Sequence, residues 1–377
     1  MKSGADTSDP SAHMRRALEL AATGQGSVEP NPMVGALVLD PAGNIVGQGA
    51  HERFGGPHAE IHALRQAADR ARGGTLYVTL EPCCHHGKTP PCTQAVIAAG
   101  LAKVVVAMQD PFPAVAGKGI AELRAAGLDV TVGLLEAEAR ELNRPFLTLV
   151  ERHRPYVHAK WAMTWDGKIA TRTGSSNWIS NEKSRALVHA LRRRMDAILV
   201  GIGTVRADNP LLTSRPPGPR TLLRIVLDPN ATLSNDSQLL RTLDAGPLLV
   251  VVSQQADQSQ ITRLQSAGAE VLPLPLIPAT SGHFQLDLHA LLQNLGRRKL
   301  TNLLIEGGSQ TLGSFFDARL IDETHLFIAP KLIGGSTAPS PIGGLGIDLM
   351  QHALPLRLIE TQTLDDNLYL HARLDHP

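Results

Sequence analysis

The chain is expected to fold as an α/β protein of two domains. Three observations lead there. Strand-like apolar stretches alternate with amphipathic helical ones along most of the 377 residues, the pattern of helices layered on a largely parallel sheet. The length exceeds one ordinary domain. The alternation is interrupted around residues 143 to 156, where "NRPFLTLVERHRPY" gathers basic residues and two prolines. The boundary is placed there, giving a flexible polar tail at residues 1–10 and domains at 11–153 and 154–377.

The elements follow in order. "HMRRALELAATGQ" has apolar residues at helical spacing. "MVGALVLD" and "NIVGQGAHERFG" read as strands around the turn "PAGN". "HAEIHALRQAADRA" reads as a helix and "GTLYVTLEPC" as a strand. "PPCTQAVIAAG" is a helix closed by Gly100, "AKVVVAMQDP" a strand, "GIAELRAAG" a helix and "LDVTVGLL" a strand, followed by the helix "EAEARELN". In the second half "MDAILVGIGTV", "LLRIVLD", "PLLVVVS", "AEVLPLP", "NLLIEGG" and "ETHLFIAPKLIGG" read as strands. No internal repeat is visible.

Composition excludes several function classes. Thirty-six basic against 35 acidic residues leave a net charge of +1, which gives no electrostatic pull toward nucleic acid or a membrane surface. Aromatic residues are 3% of the chain, too few for base-stacking platforms. The N-terminus has no apolar signal core, and no apolar run approaches the ~20 residues of a membrane span. A cytoplasmic protein is expected, in which three clustered cysteines serve as metal ligands or reduced thiols.

Those cysteines fall in residues 79 to 92, "TLEPCCHHGKTPPC", with two histidines among them. Upstream, "HAE" places His58 two residues before Glu60. H-x-E, then P-C, then a later Cys is the signature of zinc deaminases. One His and two thiolates leave a fourth metal position for water, whose pKa Zn²⁺ lowers to about 7. A carboxylate outside the ligand set must then carry protons to the ring nitrogen and the leaving ammonia. The usual second half is P-C-x-x-C. Here the spacing is Cys83-x8-Cys92 or Cys84-x7-Cys92.

The stretch "VTLEPCCHHGKTPPC" after "HAE" resembles the bifunctional riboflavin-biosynthesis deaminase–reductase family, in which the longer cysteine spacing is normal. The resemblance extends to "EPNPMVGAL", "GQGAHERFGGPHAE", "DPFPAVAGKGI" and "LNRPF". It implies a cytidine-deaminase-like three-layer αβα domain. His58, Cys83 and Cys92 would hold one Zn²⁺, Glu60 would be the catalytic proton shuttle, and Asn31 and His51 would contact substrate. Cys84 stands where the family commonly has serine and is read as a bystander. Phe112 stands where the family usually shows Asn. His85 and His86 are assigned to substrate contact or loop structure.

"HAKWAMTWDGKIATRTGSSNWIS", "DAILVGIGTVRADNPLLTSR" and "LLIEGGSQTLGSF" resemble the second domain of that family. A dihydrofolate-reductase-like α/β fold is implied. NADPH would contact Ala162, Trp178, Thr204, Asp208, Gly307 and Gly308. Substrate would contact Ser176, Arg192, Leu212, Arg215 and Glu306, with Lys160 and Asp166 on the segment facing the reaction. The residues themselves agree in part: "NLLIEGGSQTLGSFF" is strand, glycine turn and helix, which lets amides approach a phosphate. Arg192 and Arg215 are the guanidinium candidates for binding it.

The expected partners are therefore small pyrimidine ribonucleotides, in a homo-oligomer, dimer or tetramer. The first domain would remove an exocyclic amine from a ribosylaminopyrimidine 5′-phosphate, and the second would reduce the ribosyl group to ribityl with NADPH. Two rivals are a nucleic-acid or nucleoside deaminase, which needs the short P-C-x-x-C, and a zinc-stabilised nucleotide-binding module.

Overall fold

The computed structural model describes residues 9–86, 90–278 and 284–374, and the chain divides into two units between His153 and Arg154. The first unit contains α1 (Pro10–Ala22), β1 (Gly35–Leu39), β2 (Ile45–Ala50), α2 (Ala59–Ala67), β3 (Thr75–Val78), α3 (Cys92–Ala98), β4 (Lys103–Val106), α4 (Lys118–Ala125), β5 (Asp129–Val132), α5 (Glu136–Leu142) and α6 (Arg144–Arg152). Its sheet runs β2-β1-β3-β4-β5. β1 is antiparallel to β2 and β3, whereas β3–β4 and β4–β5 are parallel, so parallel pairing holds for half of this sheet.

Neighbouring residues of a strand face opposite ways, and two glycines show which helix covers which face. A Cβ on Gly35 would lie 1.9 Å from the Ala17 carbonyl oxygen of α1. Gly49 pairs with Ala36, on the other face, and a Cβ there would lie 2.4 Å from the Ala59 oxygen of α2. Helices thus cover both faces, giving the three-layer αβα arrangement. Leu37, Leu76, Val104 and Val106 are fully buried between them.

Two boundaries differ from expectation. α1 begins upstream of His13 because Asp9 accepts the Ser11 amide at 2.9 Å and Pro10 takes the first helical position. Residues 1–8 of the expected tail lie outside the described residues. The segment "RPFLTLVER" is itself a helix, α6, with Pro145 in its first turn and His153 ending it at φ 55°.

The second unit contains β6 (Tyr156–Thr164), α7 (Glu182–Arg192), β7 (Ala197–Gly201), α8 (Ile202–Asp208), β8 (Leu223–Leu227), α9 (Gln238–Arg241), β9 (Leu248–Ser253), α10 (Gln258–Ser266), β10 (Glu270–Leu274), β11 (Leu276–Pro278), β12 (Phe284–Leu286), α11 (Leu288–Arg297), β13 (Asn302–Glu306), α12 (Ser309–Asp317), β14 (Glu323–Ala329), β15 (Leu356–Leu364) and β16 (Asn367–Leu374). Its main sheet runs β10-β9-β8-β7-β13-β6-β14-β16-β15. Pairing is parallel from β10 to β14 and antiparallel beyond. The continuous apolar run "LLVVVS" of β9 is buried throughout, as a parallel strand covered on both faces requires.

"MDAILVGIGTV", read as one strand, is strand and helix: β7 stops at Gly201 and α8 starts at Ile202. The β15–β16 hairpin was not anticipated. Eight of the nine β15 residues are exposed, so no buried face marks it, and its turn rests on Asp365 at φ 54°.

Candidate active sites

In the first unit, three ligand-type side chains converge from three elements. His58 is the extended N-cap residue of α2, at ψ 165°. Cys83 follows β3, and Cys92 opens α3. His58 Nδ1 lies 3.5 Å from Cys83 Sγ and 3.3 Å from Cys92 Sγ, and the Cys92 amide faces Cys83 Sγ at 3.4 Å. These atoms form one group able to hold a metal ion. The thiols share a proton: the Cys92 hydrogen bond draws Cys83 down to about 4, and the same bond pushes Cys92 up. Binding as two thiolates requires a cation to replace that proton.

Glu60 stands in the first turn of α2, 3% exposed. Its Oε2 has no hydrogen-bond partner, and burial pushes its carboxyl up. An orphaned buried carboxyl oxygen beside a His–Cys–Cys cluster fits a metal site that needs a proton carrier.

The substrate-contact candidates gather here as well. Asn31 Nδ2 donates to His51 Nε2 at 3.2 Å, and His51 Nδ1 donates to the Pro57 carbonyl at 3.1 Å. The His51 and His58 rings meet edge-on, 5.1 Å apart. Burial lowers the pKa of His51. Cys84 points elsewhere, its Sγ 4.0 Å from the Ala114 carbonyl. His85 and His86 are exposed, and the His85 ring lies 6.3 Å from that of Phe112.

Two residues that shape this centre carried no assignment from sequence. Buried Glu81 accepts the amides of Asp110 (3.1 Å), Gly117 (2.9 Å) and Ile120 (3.1 Å), fixing the "DPFPAVAGKGI" loop. Asn143 accepts from the Met33 amide at 2.8 Å and donates to the Met33 carbonyl at 3.0 Å. Each sits inside a quoted motif, but a polar residue that serves backbone cannot be told by type from one that serves substrate.

In the second unit, Glu306 ends β13 and registers with Lys160 on β6. Arg192, at the end of α7, grips it bidentately at 2.7 and 2.8 Å. Lys160 Nζ lies 3.4 Å away. Burial alone would raise Glu306, but Arg192 and then Lys160 overcome it and hold the carboxyl at about 2. Glu306 holds the Arg192 fork, and Nη1 donates to the Thr213 carbonyl at 2.9 Å, which leaves one hydrogen on each Nη for a further acceptor. Arg215 is exposed and makes no described hydrogen bond. Leu212 is buried, at φ 53°.

The turns after β7 and β13 face one another. Thr204 Oγ1 accepts the Gly308 amide at 3.1 Å. Gly308 caps α12 without a side-chain cap, leaving first-turn amides open to a phosphate. Ser176 Oγ donates to Asp208 Oδ1 at 3.3 Å. Ala162 packs beside Phe327. Trp178 is 70% exposed with Arg185 4.6 Å from its ring centre, so no contact ties it to the other candidates. Asp166 serves its own loop, accepting Thr164 Oγ1 at 2.7 Å and the Gly334 amide at 2.7 Å.

Comparison with known proteins identifies a family for each unit. Residues 7–108 match the cytidine and deoxycytidylate deaminase zinc-binding region, and residues 155–370 match the RibD C-terminal domain. The riboflavin biosynthesis protein RibD of Aquifex aeolicus is 43% identical, over 95% of this chain and 96% of its own length. That of Escherichia coli K12 is 38% identical over 95% and 98%. Among solved structures, Acinetobacter baumannii RibD superposes with TM-score 0.84 at 33% identity, covering 97% of this chain and 99% of that one. A diaminohydroxyphosphoribosylaminopyrimidine deaminase/5-amino-6-(5-phosphoribosylamino)uracil reductase of Thermotoga maritima gives 0.81 at 35% identity, covering 97% and 98%. No helix among the described residues is long and apolar enough to cross a membrane. With a zinc-binding deaminase region in one unit and a reductase domain in the other, the chain belongs to the bifunctional deaminase–reductase family of riboflavin biosynthesis.

Proposed function

We propose that the first unit hydrolytically deaminates 2,5-diamino-6-ribosylamino-4(3H)-pyrimidinone 5′-phosphate. The second unit then reduces the ribosyl group of 5-amino-6-(5-phosphoribosylamino)uracil to ribityl with NADPH. The observation that carries this reading is the unpartnered, buried Glu60 oxygen beside His58, Cys83 and Cys92. The activities named for the Thermotoga relative support the two substrates.

His58, Cys83 and Cys92 would hold Zn²⁺, which when bound supplies Lewis-acid activation of water. Glu60 carries the protons. Burial favours its protonated form, so it returns a proton to the substrate more readily than an exposed carboxyl would. Asn31 and His51 orient the pyrimidine from one side. The fixed His51 hydrogen bonds leave its ring little rotational freedom.

Thr204, Asp208 and the Gly307–Gly308 turn would seat NADPH, which when bound supplies the hydride. The uncapped amides of α12 suit its phosphates. Arg215, free of any carboxylate, is the clamp for the substrate phosphate. Glu306, held ionised by Arg192 and Lys160, fixes the Lys160 ammonium where it can give a proton to the ribosyl ring oxygen as C1′ takes the hydride, and Ser176 and Leu212 line the approach. The exposed edge strand β15, with Leu356, Leu358 and Ile359, supports a dimer or tetramer, since bare edges invite a partner. Three free cysteines suit a reducing cytoplasm.

The test is incubation of the full chain with the diaminopyrimidine nucleotide, with and without NADPH, followed by mass spectrometry. Ammonia release without NADPH, and a ribityl product only with it, are expected. An unchanged substrate would sink the reading.

A further inference from the structure

Away from both centres, two strands of the second unit bring three ligand-type side chains to one point, and a third strand adds a histidine beside them. His158 stands on β6, Glu323 and His325 on β14, and His371 on β16. The register pairs Glu323 with His158 and His325 with His371, on one face of the sheet. Glu323 Oε1 lies 3.4 Å from His158 Nδ1 and 3.4 Å from His325 Nε2. Those two nitrogens are 3.3 Å apart, and His371 Nε2 contacts the same carboxylate oxygen. A tetrahedral zinc site with bonds of about 2.0–2.1 Å holds its donor atoms about 3.3–3.4 Å apart.

The outer atoms of the cluster are also engaged. His158 Nε2 faces Asn302 Oδ1 at 3.2 Å; the amide oxygen accepts, so Nε2 carries the hydrogen and Nδ1 the inward lone pair. Tyr369 Oη meets His325 Nδ1 at 2.8 Å, and Tyr156 Oη donates to Glu323 Oε2 at 3.0 Å. Hydrogen bonds of this kind orient metal ligands from behind. Without a cation, the His158 lone pair can take only the His325 Nε2 hydrogen, which leaves the facing Glu323 oxygen to His371. The site is screened from water: the side chains of His158, Glu323, His325 and His371 are 9, 14, 3 and 18% exposed.

We propose that His158 Nδ1, His325 Nε2 and Glu323 Oε1 form a second divalent-metal site, suited to Zn²⁺. Two neutral imidazoles and a carboxylate are a ligand set for a borderline cation, and three protein ligands leave one tetrahedral position open. The site ties β6 to β14, and His371 on β16 orients the carboxylate by contact with the same oxygen. His325 registers with Lys160, so the brace also steadies the strand that carries the reductase lysine.

The test counts metal on the full chain. Protein stripped with a chelator and dialysed is titrated with Zn²⁺, and the bound metal is measured by mass spectrometry. Wild type is expected to hold two equivalents. Cys92→Ser should keep one, and His158→Gln and His325→Gln should each keep one. With Co²⁺, the ion left in Cys92→Ser should show d–d absorption and no thiolate charge-transfer band, and that left in His325→Gln should show the thiolate band. Zinc should raise the melting temperature of Cys92→Ser and leave that of Cys92→Ser combined with His325→Gln unchanged. Wild type saturating at one equivalent, or Cys92→Ser binding none while folded by circular dichroism, would overturn the site and leave a proton-sharing cluster.

Discussion

Glu60 and Glu306 are both nearly buried, at 3% and 8% exposure, yet their electrostatics are opposite. Burial pushes Glu60 up, and nothing grips its Oε2. The same desolvation acts on Glu306, but Arg192 and Lys160 reverse it and hold the carboxyl at about 2. Burial alone therefore does not set a carboxyl's role. A group left without a cation is available to take and give protons, and one clamped by two cations is a fixed charge that orients its neighbours.

The largest expected effects break the metal side of this comparison. Cys83→Ser or Cys92→Ser should lose the deaminase zinc and reduce ammonia release to background, while NADPH oxidation with the deaminated substrate persists; metal counting and the two assays on one preparation check this. Silencing of both activities in a folded protein would mean the centres are not independent.

Glu60→Gln should keep zinc and lose about 10²–10⁴ of the deamination rate, the usual share of general acid–base catalysis. Loss of metal from this variant would make Glu60 a ligand and not a proton carrier.

Glu306→Gln should act in the opposite manner, on stability. Removing one partner of a buried pair strands the Arg192 charge and costs about 3–5 kcal/mol, measurable by urea unfolding. The pH dependence follows from the depressed pKa. With a folded value of about 2 against an ordinary 4.5, the pair's contribution is complete above pH 4.5 and is lost as pH falls toward 2. A wild type whose stability in this window is no more acid-sensitive than that of Glu306→Gln would contradict the assignment.

Arg215→Ala should weaken the reductase step and spare ammonia release. One charged hydrogen bond is worth about 1.5–3 kcal/mol, so kcat/KM should drop about 10- to 150-fold, mostly through KM. The smallest effect is expected for Cys84→Ser, which should retain zinc and both activities. Zinc loss there would show the ligand register to be off by one.

Much of both centres was legible because their chemistry is written in short motifs. "HAE" and "EPCC…PPC" name one imidazole, one carboxylate and candidate thiolates, and the strand–turn–helix at 302–316 names a candidate phosphate cradle. The carboxylate that holds Arg192 was not legible, because a guanidinium suits carboxylate and phosphate alike and Glu306 is 114 positions away. The β15–β16 hairpin escaped notice because an exposed strand has no apolar face to announce it.

The amino-acid sequence by itself determined the α/β alternation and the residue types of the deaminase chemistry, since helix periodicity, strand patterning and H-x-E spacing are local properties. Only the tertiary structure decided which thiols point at His58. Cys83 does, and Cys84 instead faces the Ala114 carbonyl. It also decided that Glu306 is spoken for, and that His158 and His325, 167 positions apart, stand 3.3 Å from one another. Such meetings depend on strand order and register, which arise from packing the whole sheet and leave no mark in any short window of sequence.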